Sequence, residues 1–193
     1  MGLKARIYSV LVVSSSENFN KNVSPLLPDY DYQPVTFVPS LSKAERALSE
    51  RDFDYVIINS PLPDGTGTEF AVDTSNRQSV VLLLVRSDLH DEVFDLVAEH
   101  GVFTIAKPIA KANFLTALGW MSSARERLRK SEMHTLSIQE KMEEIRLVNR
   151  AKWLLISELK MSEQEAHRYI EKQAMDRCVT RREVAKGIIA MYS

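Results

Sequence analysis

Short apolar runs alternate with amphipathic segments through the first part of the chain. Five runs rich in Val, Ile and Leu have the length and composition of buried strands, at 6–13, 32–38, 54–59, 80–85 and 102–106. Segments with helical spacing of apolar residues lie between them, at 17–27, 40–51, 69–76 and 88–100. This alternation predicts βαβ units and a parallel sheet, here a five-stranded flavodoxin-like doubly wound α/β domain.

The remainder of the chain is helix-forming sequence. No proline occurs between residues 110 and 160, so one long helix is predicted there. Ser162 with Glu165, and Thr180 with Glu183, form the pattern in which each side chain bonds the other residue's free backbone N–H. Two short helices should therefore follow the long one. Small residues that would let the three helices pack closely are Ala151, Ala166, Ala174 and Ala185.

Apolar residues recur at seven-residue spacing along the predicted long helix, which is a coiled-coil signal. One seam is Met121, Leu128, Thr135, Met142 and Asn149, and its partner seam is Ala124, Ser131, Ile138 and Ile145. We expect a parallel homodimer through this helix. The alternative is a single helix whose apolar stripe packs on the chain's own domains.

Charge divides the chain in the same way as the hydrophobic pattern. Residues 1–115 carry 10 Lys and Arg against 15 Asp and Glu, whereas residues 116–193 carry 15 against 11. An acidic first part and a basic second part favour a protein in which a regulatory domain controls a separate polyanion-binding segment.

Several classes of protein are disfavoured by composition. No apolar run approaches the roughly 18–20 residues of a membrane span, and the N-terminus lacks a secretory signal pattern, so a cytoplasmic protein is expected. The single cysteine, Cys178, leaves no intrachain disulfide or multi-cysteine metal site, and we expect it to be a partly buried small hydrophobe. No set of nucleophile, base and orienting residue emerges, so neither an enzyme nor a cofactor is predicted.

Two motifs give residues 1–120 a family resemblance. The loop at 59–67 (NSPLPDGTG) follows the third predicted strand, and Lys107-Pro108 follows the fifth. This region resembles the receiver domain of response regulators. Receivers have an acidic pair after the first strand, an acceptor Asp ending the third, a Thr or Ser ending the fourth, and this lysine. The carboxylates hold Mg²⁺, the Asp attacks the phosphoryl donor, and the hydroxyl and lysine bind the phosphate.

This chain departs from the receiver pattern at nearly every one of those positions. The acidic pair falls on Ser14 and Ser15, the acceptor on Asn59, and the hydroxyl on Val85 or its neighbour Leu84; Lys107 alone is kept. An amide is not a phosphoryl nucleophile, and hydroxyls are poor Mg²⁺ ligands beside carboxylates. The resemblance therefore implies a pseudo-receiver without phosphate transfer or bound metal. A regulatory protein, a small ligand or no signal at all remain open as its control.

The closing segment resembles a second family. Ala151-Lys152, the sequence EQEA at 163–166, QAM at 173–175 and RREVA at 181–185 occur in the order found in ANTAR domains. The resemblance implies a domain that binds paired stem-loops in a nascent leader RNA and so prevents a terminator hairpin from forming. The predicted organisation is a pseudo-receiver at 1–120, a linking coiled-coil helix at 111–140 and an ANTAR domain at 137–193.

Basic residues of this segment are candidates for RNA contact, because phosphates need Lys and Arg on one face and loop bases stack on aromatic planes. Trp153 and Tyr169 are alternatively core or dimer-interface residues. Arg181 and Arg182 are expected at a helix start, where uncompensated cations favour an anionic partner. Two other functions stay open: a DNA-binding helix-turn-helix and a surface that docks an acidic protein. The full candidate set is Lys152, Arg168, Lys172, Arg177, Arg181, Arg182 and Lys186, with Tyr169 for stacking.

Overall fold

A computed structural model describes residues 6–192, which fall into two compact units that meet in sequence at Arg129 and Lys130. The domain limits predicted from sequence remain predictions. The first unit contains all the strands. Its strands are β1 Tyr8–Val13, β2 Tyr32–Val38, β3 Tyr55–Asn59, β4 Val80–Arg86 and β5 Phe103–Lys107. Its helices are α1 Glu17–Val23, α2 Leu41–Glu50, α3 Thr68–Ser75, α4 His90–Val97 and the first part of α5, Lys111–Leu159.

The strands form one parallel sheet in the order β2-β1-β3-β4-β5. This confirms the predicted flavodoxin-like architecture, and each predicted strand lies within about two residues of an observed one. The register pairs Asn59 with Leu84 and Arg86 with Lys107, so the carboxyl ends of β3, β4 and β5 lie side by side. Ligand sites of such sheets lie at this edge.

Each face of the sheet has its own hydrophobic core. Leu11, Val56 and Leu83 point to the face covered by α2, α3 and α4. The residues next to these in each strand point to the opposite face, where α1 and the beginning of α5 cover them. Both faces are buried, which explains why the strands read as continuous apolar runs.

The beginning of α5 is also held by polar contacts at the amino edge of the sheet. Asp54, just before β3, accepts hydrogen bonds from the Ser9 backbone N–H and hydroxyl, both at 2.9 Å. Arg125 Nε of α5 lies 2.8 Å from the same carboxylate. Glu126 pairs with Arg6 and Arg129. These contacts lie at the edge opposite the degenerate receiver positions.

The second unit is built from the rest of α5 with α6 Glu163–Asp176 and α7 Arg181–Tyr192. All four predicted alanines are buried, together with Leu155, Ile170 and Ile188. Both predicted helix starts are confirmed, since Ser162 and Glu165 exchange hydrogen bonds, as do Thr180 and Glu183. The helices therefore begin where the capping residues place them.

Two expectations from the sequence are wrong. Met121 is fully buried in the sheet core and Ala124 packs against that core, so the first heptad of the proposed seam is not available to a partner helix. Cys178 is exposed rather than partly buried. It has a φ of 52°, which ends α6 in the left-handed conformation.

Membrane insertion has no support in the fold. None of the helices within 6–192 is both long and apolar enough to cross a bilayer.

Asp54 should stabilise the first unit in a pH-dependent way. Burial alone would raise its pKa, but hydrogen bonds from Ser9 and Arg125, with the arginine charge, lower it. A lowered folded-state pKa means that this stability is present above the unfolded value of about 4 and is lost as the pH falls through the folded value. We expect Asp54→Asn to lower the free energy of unfolding by about 1–3 kcal/mol at neutral pH.

Urea denaturation of full-length protein at several pH values measures this difference. The gap between wild type and Asp54→Asn should shrink below about pH 4. Asp52→Asn, an exposed carboxylate two residues away, is the matched control and should change little. Equal effects of the two substitutions would contradict the anchoring role of Asp54.

Candidate functional site

The degenerate receiver positions come together at the carboxyl edge of the sheet. Asn59 ends β3, Ser14 follows β1 directly, and Lys107 ends β5. Ser14 and Asn59 are buried, whereas Ser15 is exposed. Of the two serines expected at the acidic-pair position, only Ser14 therefore faces the acceptor position.

Asn59 is hydrogen-bonded at both ends of its amide. Its Nδ2 donates to Ser14 Oγ at 3.0 Å, and Lys107 Nζ donates to its Oδ1 at 2.9 Å. Lys107 also donates to the backbone carbonyl of Ser60. An ammonium group only donates, so the amide oxygen must face Lys107 and the amide nitrogen must face Ser14. The three side chains form a polar chain without a carboxylate, and burial lowers the pKa of Lys107.

The surroundings offer no substitute for the missing acidic groups. Val85, at the hydroxyl position, is buried and apolar. Asp64, in the loop after β3, accepts hydrogen bonds from the backbone N–H groups of Ser42 and Leu41 at 3.0 and 2.9 Å. These bonds hold the pKa of Asp64 at about 2 and commit its carboxylate to the start of α2. Within residues 6–192, no three His, Cys, Asp or Glu side chains are grouped so as to hold a metal ion.

The positive charges of the two arginines at the start of α7 are paired with carboxylates, contrary to expectation. Arg182 lies 2.7 Å from Glu143 of α5. Arg181 lies 3.4 Å from Glu144 and 3.9 Å from Glu171. Because these three carboxylates come from distant positions in the sequence, their approach to the arginines was not visible from the chain. The expectation that the two charges are uncompensated is therefore wrong, and contact of Arg181 and Arg182 with an anionic partner stays a prediction.

The other basic candidates divide into two groups. Lys152 is mostly buried and lies 3.1 Å from Glu163, so it ties α5 to the start of α6. The remaining candidates form no ion pair with any residue between 6 and 192: Arg168, Lys172, Arg177 and Lys186.

Two of these unpaired residues line a basic pocket beside an aromatic ring. Arg168, Tyr169 and Lys172 of α6 enclose, with Lys160, a cavity of about 470 Å³. Leu159 and Met161 provide its apolar wall, and Tyr169 is 39% exposed. Its one carboxylate, Glu165, has a lowered pKa because it accepts hydrogen bonds from the Ser162 backbone and hydroxyl. We call this the α6 pocket.

Lys160 was missed by the sequence reasoning. It follows the end of α5 with a φ of 56°, and its Nζ donates to the Ser157 carbonyl. The sequence did contain a signal for this residue. It lies between the end of the predicted long helix and Ser162, the predicted cap of the next helix, and a residue in such a short connection projects beside the first turn of that helix.

Trp153 is not a core residue of this unit, because 70% of its surface is exposed. It lies four residues after Asn149 on α5, and so on the same helical face as the proposed seam. The core interpretation of Trp153 is therefore wrong, and its place in an interface between chains stays a prediction.

Comparison with known proteins gives separate matches for the first and the second unit of the chain. Residues 137–189 match the ANTAR domain. The transcriptional regulatory protein PdtaR of Mycobacterium tuberculosis (strain H37Rv) is 21% identical over 181 residues, which cover 93% of this chain and 88% of PdtaR.

This chain thus joins a domain with the receiver fold to a segment that matches the ANTAR domain. Its first unit is similar to the signal receiver domain of an HD domain-containing protein from Pseudomonas fluorescens Pf-5, with a TM-score of 0.58 and 21% identity, covering 67% of this chain and 96% of that one. The receiver domain of the response regulator TorR gives a TM-score of 0.54 at 13% identity, covering 61% and 98%. These two likenesses concern the fold alone.

The Asn59 site should not form an acyl phosphate. An amide oxygen held by Lys107 is a weak nucleophile, and no group of three or more His, Cys, Asp or Glu side chains that could hold a metal ion occurs among the described residues. We expect no added phosphate by intact mass after incubation with a small phosphodonor and Mg²⁺. Asn59→Asp should also stay unmodified, because Ser14 and Ser15 supply no metal ligand.

An unaltered receiver domain treated in parallel is the positive control for the donor. An aspartyl phosphate on Asn59→Asp would contradict the prediction, since it would require a working metal site despite the two serines.

Proposed function

We propose that this protein is a transcription antiterminator that binds stem-loops in a nascent leader RNA. Holding paired hairpins keeps the RNA from folding into a terminator, so polymerase continues. Its place of action would be the cytoplasm, where leader transcripts are made. The proposal rests on the ANTAR match and on one feature of the second unit, the α6 pocket.

The α6 pocket combines the two chemistries that single-stranded loop RNA requires. Lys160, Arg168 and Lys172 supply three cations against a single carboxylate, which suits phosphate contact. Tyr169 lies among them with an exposed ring, and an unpaired base can stack on such a ring. A cavity of about 470 Å³ has room for a flipped-out base. We therefore infer that Arg168, Tyr169 and Lys172 are the primary RNA contacts.

The other basic candidates take secondary roles in this proposal. Arg177 and Lys186 lie near Glu183, and their charges contribute to the lowered pKa of that carboxylate. Both are exposed and can reach neighbouring phosphates. Lys152, Arg181 and Arg182 serve mainly to hold the three helices together through their ion pairs.

The alternative of a DNA-binding helix-turn-helix is less well supported. A recognition helix presents free polar side chains at its N-terminal end to the base edges of the major groove. Here that position would belong to Arg181 and Arg182, which are engaged by carboxylates of α5 and α6. Reading DNA would require those ion pairs to break first.

A homodimer is the second part of the proposal. The apolar contacts of α5 with the first core end at Ala124, and those with the second core begin at Leu147. Between these limits four large apolar side chains on one helical face are 42–53% exposed: Leu128, Ile138, Met142 and Ile145. A helix segment with an unpacked apolar stripe is stabilised by a second such stripe. Pairing two copies would give two α6 pockets, one for each stem-loop.

Control of this protein would not involve phosphorylation of its own receiver domain. The polar chain of Ser14, Asn59 and Lys107 satisfies its own hydrogen bonds and has no acceptor carboxylate. We infer that regulation reaches the first unit through binding of another molecule.

RNA binding should depend on the α6 pocket. We expect Arg168→Ala with Lys172→Ala to weaken hairpin binding about 10- to 100-fold and to reduce the slope of log K against log salt by about 1–2, because phosphate contacts release counterions. Tyr169→Ala should weaken binding by about 1–3 kcal/mol, whereas Tyr169→Phe keeps the stacking surface and should bind normally.

The probes are hairpins identified by sequencing RNA that co-purifies with the full chain, and binding is measured by gel shift. Lys130→Ala with Lys141→Ala removes the same charge from exposed positions of α5 outside the pocket and is the matched control. A preference for duplex DNA over hairpin RNA would reject the proposed function. Equal loss in both double variants would reject the α6 pocket as the contact site.

Dimerisation should depend on the exposed seam. We expect Met142→Lys with Ile145→Lys to convert a dimer into a monomer at micromolar concentration, because lysines placed across a seam repel each other. Met133→Lys with Leu136→Lys changes equally exposed apolar residues on other faces of α5 and should leave the dimer intact. Sedimentation equilibrium gives the masses, and a monomeric wild type would contradict the prediction.

A further inference from the structure

A groove on the first unit has no part in the RNA-binding proposal. It lies between α2, α3 and α4 and includes the loop after β3, with a volume of about 1010 Å³. Gly67 at the end of this loop has a φ of 79°, and a Cβ there would come within 2.9 Å of Ile58. The glycine lets the loop lie directly on the sheet, which leaves the space above it open. We call this feature the acidic groove.

The floor of the acidic groove is apolar. Leu41, Val72 and Val93 are half-buried there, and Leu89 and Leu96 are 41% and 58% exposed. The buried residue at the receiver hydroxyl position, Val85, lines it as well. The valine at this position therefore adds apolar surface to the floor, where a receiver has a hydroxyl.

The rim of the acidic groove carries charge of one sign. Five exposed carboxylates line it, and its lining contains no Lys, Arg or His. Asp64 is kept ionised by the helix α2 backbone, as described above. None of the other four forms an ion pair with any residue in 6–192. The five are Glu45, Asp64, Glu69, Asp73 and Glu92.

Several kinds of occupant do not fit this surface. The carboxylates are spread over α2, α3, α4 and a loop, and no three of them are grouped for a metal ion. RNA is excluded by the negative charge. A basic stretch of this chain's own α5, at 125–130, has two of its four cations engaged, since Arg125 pairs with Asp54 and Arg129 with Glu126. A partner that fits this surface must present apolar side chains flanked by several separate cations.

We propose that the acidic groove binds a basic amphipathic helix of a partner protein. Apolar side chains at i, i+3, i+4 and i+7 of such a helix would fill the floor, and its flanking Lys or Arg would meet the carboxylates on both rims. Charge complementarity of this kind selects the partner and speeds its association. This inference concerns the first unit and does not depend on RNA binding by the second.

The test uses full-length protein and a labelled model peptide with Leu at those four spacings and Lys elsewhere. Fluorescence anisotropy measures its binding, and the same peptide with Glu in place of Lys is the first comparison. We expect Glu45→Lys with Asp73→Lys to weaken binding of the Lys peptide by about tenfold or more, because cations then face cations across the groove.

Matched controls separate the groove from general attraction to an acidic unit. Asp52→Lys with Asp95→Lys makes the same change of charge at exposed positions outside the groove and should bind normally. Leu96→Ser should also weaken binding, whereas Leu115→Ser, an exposed leucine on α5, should not. Circular dichroism of each variant checks that it is folded.

Four results would overturn the proposal. These are no measurable binding of the Lys peptide, equal binding of the Glu peptide, equal weakening by the two double charge variants, or a change of oligomeric mass caused by Glu45→Lys with Asp73→Lys alone. The last result would make the groove a contact between copies of this chain.

Discussion

The structure depends on one constraint, which is that a helix of this length is stable only where its apolar side chains are packed. The beginning of α5 packs on the sheet through Phe114 and Met121, and its end packs on α6 and α7 through Ala151 and Leu155. The segment between them has apolar side chains without such cover. A partner helix would cover this segment, which is why we propose dimerisation through α5.

The receiver fold and the phosphorylation chemistry associated with it rest on different residues, so this chain can keep the fold with serines and an asparagine at the strand ends. The fold is determined by strands buried on both faces, whereas the chemistry needs a few carboxylates at the strand ends. At that edge, Asn59 accepts a hydrogen bond from Lys107 and so keeps a half-buried ammonium group hydrogen-bonded. A neighbouring residue, Val85, lines the acidic groove.

In the second unit, three of the seven basic candidates for RNA contact are tied to other helices of the same domain. Ion pairs connect Lys152, Arg181 and Arg182 to acidic residues on the other helices. Exposed ion pairs of this kind contribute little free energy each, but they occupy the cations and so limit which of them can meet an RNA phosphate. The α6 pocket stands apart because its cations have no such partners and lie around an aromatic ring.

Sequence alone determined the architecture. Periodicity, capping pairs and breakers are local signals, so the five strands, the long helix and the starts of α6 and α7 could be predicted without contacts. The degenerate positions, with Asn59 and Lys107 among them, were identified from the resemblance to receiver domains together with their place at strand ends. Only the tertiary structure determined which charged side chains form ion pairs and which do not. The pairing of Arg182 with Glu143, the burial of Met121 and the gathering of five carboxylates around one groove each join residues far apart in the chain, and no local pattern encodes such distances.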